Sequence, residues 1–162
     1  MHPSFSEALL AIVQRTAQTR RVLVHGDVSP KNILVGPGGP VLLDAECAWF
    51  GDPAFDLAFC LNHFLLKAAH LPAQAGELLA SFRAFTDAYW PHVRWEEPRA
   101  LEARVAALLP GLTLARIDGK SPVEYLGEPQ REAVRRASMA LLQAPPPSLA
   151  SIASRWAQVF SA

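Results

Sequence analysis

The chain has 162 residues, a length typical of one domain, and 51% of them are hydrophobic, which is enough to build a core. Fifteen Lys and Arg residues balance 15 Asp and Glu residues, so the formal net charge is +0. This balance argues against nucleic acid and anionic membranes as partners held by overall charge. The two cysteines fit neither a disulfide framework nor a CxxC metal site, and neither a signal peptide nor a membrane-spanning run is visible. We therefore expect a protein of the reducing cytoplasm.

The first third of the chain is predicted to contain one helix and a small β-structure. Residues 4–19 carry apolar side chains at helical spacing and predict an amphipathic helix. The run 22–24 has strand character and stops at a His-Gly-Asp sequence. Two further apolar runs, 33–35 and 41–43, are separated by glycines and prolines, so we predict a hairpin with a wide turn over 36–40.

The remainder of the chain is predicted to be helical. Asp52 and Pro53 have the residue types of an N-cap and a first helical position. The helix that follows, about 54–69, is apolar almost all round and should be the central buried helix. Further helices are predicted at about 74–90, 97–109, 128–143 and 148–160, with an irregular stretch over 112–127. The predicted fold class is mainly α with a small β-hairpin.

Acidic residues are concentrated between positions 27 and 56, where Lys31 is the single base. The acids are Asp27, Asp44, Glu46, Asp52 and Asp56. An acidic cluster within otherwise apolar sequence is costly to fold unless a cation neutralises it. A divalent metal ion is the first candidate for that cation.

Three of the polar residues in this region have the types that phosphoryl transfer requires. Asp27 follows the predicted strand, Asn32 comes five positions later, and Asp44 ends the second hairpin strand. Phosphoryl transfer from a nucleotide needs a carboxylate that orients the acceptor hydroxyl, and oxygen ligands for magnesium on the phosphates. A short loop would hold Asp27 near Asn32, and the hairpin would bring Asp44 back against both.

Three motifs in this order resemble the aminoglycoside phosphotransferase and choline-kinase-like family, small-molecule relatives of the protein kinases. They are HGDVSPKN at 25–32, DAE at 44–46 and GDPAFDLA at 51–58. The first is similar to the kinase catalytic loop H-R-D-x-x-x-x-N, with H-G-D in the place of H-R-D. The second stands where kinases carry D-F-G, and the third opens a buried helix in this family. The resemblance covers roughly residues 22–60.

The resemblance implies ATP and Mg²⁺ as cofactors and assigns the central roles. Asp27 would be the catalytic base, while Asn32 and Asp44 would hold magnesium on the phosphates. The implied activity is an ATP-dependent small-molecule kinase, a phosphotransferase with an alcohol group as acceptor.

The resemblance also implies supporting roles around the site. His25 would brace the loop and the metal-binding segment, and Asp56 would accept hydrogen bonds from catalytic-loop amides. Glu46 is a candidate for contact with a metal or with substrate. Ser29 departs from the commoner family pattern, which has His or Lys two residues after the base.

In domain terms, the resemblance implies a protein-kinase-like C-terminal lobe whose N-terminal lobe is absent. Twenty-four residues precede the catalytic loop, and all three lysines lie within or after it. We expect a single domain over 1–162, with the catalytic loop at 22–35, the metal-binding hairpin at 33–46 and a helical bundle over 53–162. The missing lobe, or a second copy meeting the exposed lobe interface, is the expected partner besides the small-molecule substrate. We also expect the isolated chain to bind nucleotide weakly and to show little or no turnover.

The substrate side is less constrained by sequence. Arg116, Asp118 and Lys120 are candidates for contact with the acceptor, although a polar surface loop is the alternative interpretation of this segment. Eleven bases against nine acids from Cys60 onwards argue against a polycationic aminoglycoside as acceptor and for another hydroxylated metabolite.

Two alternative functions use the same residues. One is a non-catalytic remnant or binding module on the same scaffold. The other is a binuclear metallohydrolase built on His25, Asp27, Asp44 and Asp56, although such sites usually need several histidine ligands.

Overall fold

The computed structural model describes residues 6–160, in which most residues are helical. The helices are α1 Ser6–Gln18, α2 Ala54–His70, α3 Ala75–Tyr89, α4 Pro98–Asp118, α5 Glu128–Gln143 and α6 Leu149–Phe160. Short 3₁₀ turns occur at Pro30–Asn32, Ala45–Cys47, Pro72–Gln74 and Trp90–His92. The prediction of a mainly helical chain is thereby confirmed.

The described residues form two antiparallel pairs of strands where the sequence predicts one hairpin. Strand β1 (Val22–Val24) pairs with β4 (Trp49–Gly51), so that Val22 faces Gly51 and Val24 faces Trp49. Strand β2 (Ile33–Gly36) pairs with β3 (Gly39–Leu42). The wide turn expected here is wrong, because Gly36 pairs directly with Gly39 and leaves a two-residue turn. Gly39 has a φ of +101°, which a residue without a side chain adopts at little cost.

Helix α2 lies at the centre of the core, as its apolar sequence predicts. Leu61, Leu65 and Leu66 are fully buried and belong to one cluster with side chains from α3 to α6. The indole N–H of Trp156 on α6 donates to the carbonyl oxygen of Leu65 at 2.9 Å. Helix α2 is therefore anchored among the other helices, and its first turn lies next to the strand pairs. No helix between residues 6 and 160 combines the length and the apolar character needed to cross a membrane.

Helix α4 runs nine residues beyond its predicted end at 109. Pro110 lies inside it, and proline lacks the backbone donor of a regular helix. The residues after the proline include Leu114 and Ile117, which are buried. Packing of this turn against neighbouring helices offsets the local cost of about 3 kcal/mol for an internal proline. The first part of the predicted irregular stretch, 112–118, is therefore helical.

A buried ion-pair network fixes the start of α2. The Arg104 guanidinium donates from Nε to Oδ2 of Asp52 and from Nη2 to Oδ1, both at 3.0 Å, and from Nη1 to Glu96 at 2.8 Å. Asp52 also accepts from the amide of Ala54 at 3.0 Å. It does so from one position before the N-cap, because α2 begins at Ala54 and its N-cap is Pro53, not Asp52 as predicted. The hydrogen bonds from Arg104 to Glu96 and Asp52 raise the pKa of Arg104 above its ordinary value. The cation that neutralises Asp52 is thus an arginine 52 residues later in the sequence, which corrects the expectation of a divalent metal for that carboxylate.

The strands leave an apolar surface exposed. Its large members are Leu23, Leu34, Val35, Val41, Leu42 and Phe50. Leu23 is 75% exposed and Val35 is 84% exposed, values that are high for large aliphatic side chains.

Candidate active site

The turn after β1 is held by a carboxylate from α2. Asp56 accepts from the amide of His25 at 2.7 Å through Oδ2 and from the amide of Gly26 at 2.9 Å through Oδ1. Gly26 has a φ of +88°, and a Cβ placed on it would lie 2.7 Å from the carbonyl oxygen of Cys47. Glycine is therefore required at this position, both for its backbone conformation and for space. The Asp56 carboxylate is satisfied by backbone donors, so it too needs no metal ion.

Asp27 and Asn32 lie in direct contact. The Asn32 amide group donates from Nδ2 to the Asp27 carbonyl oxygen at 3.0 Å and to Asp27 Oδ2 at 2.9 Å. The 3₁₀ turn Pro30–Asn32 places them together, because it folds the chain back over the five positions that separate them. Asn32 is buried, whereas the Asp27 side chain is 25% exposed. Neither contact uses Oδ1 of Asp27 or Oδ1 of Asn32, which leaves one oxygen of each side chain for a ligand.

Lys31 supplies a cation at the same carboxylate. Its ammonium nitrogen lies 3.1 Å from Asp27 Oδ2, while the side chain is 70% exposed. Sequence reasoning gave Lys31 no role, although its position four residues after Asp27 on a helical turn is a signal for such a pair. Ser29, two residues after Asp27, is buried, and its hydroxyl makes no hydrogen bond with any residue that the structure describes.

The hairpin is tied to the catalytic loop through Leu43. Its carbonyl oxygen lies 2.9 Å from Nε2 of His25, and its amide donates to the Asn32 carbonyl oxygen at 2.8 Å. The other ring nitrogen of His25, Nδ1, accepts from the amide of Asp27 at 3.3 Å. Nε2 is therefore the protonated nitrogen, and the imidazole bridges the two segments. Because both backbone groups of Leu43 are held, the position of the next residue, Asp44, is fixed relative to Asp27 and Asn32.

Asp44 has a left-handed backbone conformation, with φ 65° and ψ 53°. Among the described residues it is the one non-glycine with a positive φ. This conformation costs an ordinary residue about 1–2 kcal/mol, although aspartate tolerates it better than most. The Asp44 carboxylate is exposed, and so is Glu46 on the following 3₁₀ turn. Strain of this kind concentrates at functional sites, where the surrounding structure holds it in place.

The oxygen donors of Asn32 and Asp44 suit a magnesium ion whose other ligands come from a phosphate substrate and from water. Between residues 6 and 160, no three His, Cys, Asp or Glu side chains come together as a metal site of their own. The amide oxygen of Asn32 and the carboxylate of Asp44 are hard oxygen donors, the type that Mg²⁺ prefers. Magnesium commonly takes one or two protein ligands and completes its shell with phosphate and water.

A wide apolar cleft of about 780 Å³ adjoins the site. Ile33, which follows Asn32 in sequence, and Leu42, two residues before Asp44, both contribute to its wall. Tyr89 and Trp95 are also among the residues that line it. Burial, with smaller contributions from Asp56 and Glu96, raises the pKa of Tyr89 to about 12, so its hydroxyl remains protonated.

The structure brings two of the three predicted substrate-side residues together and leaves the third outside. Arg116 lies on helix α4, not in a loop, and lines a second pocket together with Lys120. Asp118 ends the same helix, and its carboxylate is paired with Arg135 of α5 at 2.8 Å. Asp118 thus connects α4 to α5 and is not among the residues that line the pocket.

His63 and Asn62 on α2 are polar residues near this second pocket. Asn62 is fully buried. Burial, together with the positive charge of Arg116, lowers the pKa of His63 to about 4. Sequence reasoning assigned His63 to a helix face and gave Asn62 no role, although an asparagine and a histidine within an apolar helix are themselves a signal.

Comparison with known families gives one match. The family model described as "APH: Phosphotransferase enzyme family" matches residues 3–95, more than half of the chain. The matched segment includes all three motifs of the site. A comparison with curated proteins found no match.

Proposed function

The chain belongs to the phosphotransferase enzyme family, and we propose that it transfers the γ-phosphoryl group of ATP, with Mg²⁺, to a hydroxyl of a small molecule. The observation that carries this proposal is the direct contact between Asp27 and Asn32. The residue before Asp44 is bonded through its backbone to His25 and Asn32 of the same loop. A carboxylate and oxygen ligands are the groups that phosphoryl transfer needs, and these three residues supply both types.

In the proposed reaction, Asp27 orients the acceptor hydroxyl and receives its proton on Oδ1. The acceptor oxygen forms a bond to the γ-phosphorus, and the bond from that phosphorus to the bridging oxygen of ADP breaks. The Asn32 amide keeps the carboxylate of Asp27 in one orientation through its 2.9 Å bond to Oδ2. Positioning and charge stabilisation contribute most of the catalysis in such reactions, so a rigid loop matters more than an unusual base.

Asn32 and Asp44 are the proposed magnesium ligands. When bound, the ion neutralises charge on the phosphates. Lys31 adds a positive charge on an exposed side chain beside Asp27. We propose that it neutralises negative charge on the transferred phosphoryl group. The adjoining apolar cleft has the volume and the aromatic wall that suit a nucleoside base.

The proposed function also includes a role for the exposed apolar surface of the strands. It lies on the segment that carries the catalytic loop and the metal-binding hairpin. We assign it the contact with a nucleotide-covering lobe or with a second copy of the chain, which would cover apolar area and enclose the phosphates.

The test replaces Asp44 in two ways and measures ATP binding by isothermal titration with magnesium and with EDTA. Asp44→Asn keeps a short polar side chain, while Asp44→Gly removes the ligand and the backbone strain together. We expect both to weaken magnesium-dependent ATP binding about tenfold or more, because a charged ligand is lost. We expect the unfolding free energy of the glycine variant to stay level or rise by up to about 1 kcal/mol, since glycine adopts the left-handed conformation freely.

The matched control is Asp87→Asn, which makes the same charge change at an exposed position on α3. It should bind ATP as the parent chain does. If ATP binding changes neither with magnesium nor with either Asp44 substitution, the proposed function is contradicted.

A further inference from the structure

A second pocket, of about 260 Å³, lies between helices α2 and α4 and the segment that follows α4. Phe59 and Asn62 contribute from α2, Arg116 from α4, and Lys120 and Ser121 from the segment after it. It shares no lining residue with the apolar cleft beside the catalytic loop. Its volume suits a small metabolite and is too small for a nucleotide.

Polar atoms in the wall of this pocket have no hydrogen-bond partner among residues 6–160. Asn62 is 0% exposed, and neither its amide nitrogen nor its amide oxygen makes a hydrogen bond. Nε of Arg116 is also buried without a partner. Buried polar groups in native proteins are nearly always hydrogen-bonded, because leaving one unpaired is costly. Two residues of one pocket wall therefore offer unmet donors and acceptors to a polar ligand.

The charge of the pocket restricts the type of ligand. The charged side chains among its lining residues, Arg116 and Lys120, are both cationic. The nearby carboxylate of Asp118 is held by Arg135 and is not part of the wall. An anion placed here would meet two positive charges, whereas a cation would be repelled.

The pocket lies on the face of α2 that reaches the catalytic loop. Phe59, which lines the pocket, stacks on Phe55 at 5.9 Å between ring centroids. Phe55 packs against Trp49 at 5.0 Å, and the Trp49 ring lies against Gly26 of the catalytic loop. A ligand in the pocket is therefore on the side of α2 that contacts the catalytic loop.

We propose that this pocket binds the phosphoryl acceptor and that the acceptor is a hydroxylated small molecule bearing an anionic group, a carboxylate or a phosphate. Arg116 and Lys120 hold the anion, and Asn62 bonds a hydroxyl of the ligand through its amide. This inference rests on the proposed phosphotransferase function, and it assigns the substrate class of that site.

The test compares three six-carbon polyols that differ in one terminal group. Gluconate is anionic, sorbitol is neutral, and glucamine (1-amino-1-deoxysorbitol) is cationic. Each is titrated into ¹⁵N-labelled chain, and binding is followed through the side-chain amide resonances of Asn62. We expect gluconate to bind about tenfold or more tightly than sorbitol, and glucamine more weakly than sorbitol. Glucose 6-phosphate and glucose, measured in the same way, distinguish a phosphate from a carboxylate as the preferred anion.

Two substitutions test which positive charge causes the preference for the anionic ligand. Arg116→Gln and Lys120→Gln should each reduce the preference for gluconate over sorbitol, by about tenfold for Arg116. Arg99→Gln removes the same charge at an exposed position near the other end of α4 and should leave the preference unchanged. Lys120 is exposed, so its replacement tests the proposal even if the Arg116 variant folds poorly.

The results distinguish this inference from the function on which it rests. Glucamine or sorbitol binding as tightly as gluconate would overturn the anionic acceptor, and so would an unchanged preference in both pocket variants. Magnesium-dependent ATP binding, measured on the same samples, reports on the phosphotransferase function separately. ATP binding together with a failed gluconate preference would reject the acceptor class alone.

Discussion

Replacing Arg104 by methionine is expected to lower the free energy of unfolding by about 3–5 kcal/mol, because the change leaves two buried carboxylates without their cation. The side chains of Asp52 and Glu96 are only 1% and 4% exposed, and Arg104 is 14% exposed. Methionine retains most of the aliphatic volume, so the loss reports charge and hydrogen bonds more than packing. Urea unfolding with linear extrapolation measures it.

The control for this prediction is Arg136→Met. Arg136 is 69% exposed and pairs with Glu132 at 3.4 Å, so its loss should cost no more than about 1 kcal/mol. If Arg104→Met costs as little as Arg136→Met, the network does not hold the start of α2. The account of how Asp56 is positioned would then need another anchor.

Replacing Asp56 by asparagine should have the next largest effect, a loss of about 2–3 kcal/mol. The carboxylate accepts from two backbone amides, at 2.7 and 2.9 Å. An asparagine keeps one acceptor and turns a donor towards the other amide, which leaves a buried N–H unpaired. Chemical denaturation measures the loss.

The same substitution should loosen the catalytic loop locally. Amide hydrogen exchange at His25 and Gly26 should accelerate. Magnesium-dependent ATP binding should weaken, because Asp56 holds the loop and also lines the cleft assigned to the nucleoside base. Asp87→Asn is again the matched control, since it lies on an exposed helix face. Unchanged exchange at His25 and Gly26 would show that Asp56 does not hold the loop.

The sequence predicted those helices and strands whose signals lie within a few neighbouring residues. Strand β1 and the two hairpin strands follow from apolar runs, and α5 and α6 agree with their predicted bounds within one residue. The closeness of Asp27 and Asn32 also follows from sequence, because five positions bridged by a 3₁₀ turn leave little freedom. In each case the signal that predicts the element lies in neighbouring residues.

The features that sequence did not predict depend on distant partners. Strand β4 forms against β1, whose residues lie more than twenty positions earlier. Helix α4 continues past Pro110 because tertiary burial outweighs the local cost of proline. The acidic cluster suggested a metal ion, but Asp52 is neutralised by Arg104 and Asp56 by backbone amides. Composition shows that charges need partners, and only the fold shows which partners they have.

The Asn62 amide in the second pocket is another feature that sequence alone does not predict. An asparagine in an apolar helix signals a buried polar group, but the sequence does not show whether the protein itself satisfies it. The structure shows that the described residues do not.

The most direct test of the central claim is to locate the metal–nucleotide complex on the chain. Mn²⁺ replaces Mg²⁺ in trace amounts with ATP, and its paramagnetic broadening is read from the amide spectrum of ¹⁵N-labelled chain. We predict that the Asn32 side-chain amide and the backbone amides of Asp44 and Ala45 broaden first, while those of α6 remain sharp. Broadening that begins elsewhere, or that spares Asn32 and Asp44, would contradict the assignment of this loop and hairpin as the phosphoryl-transfer site.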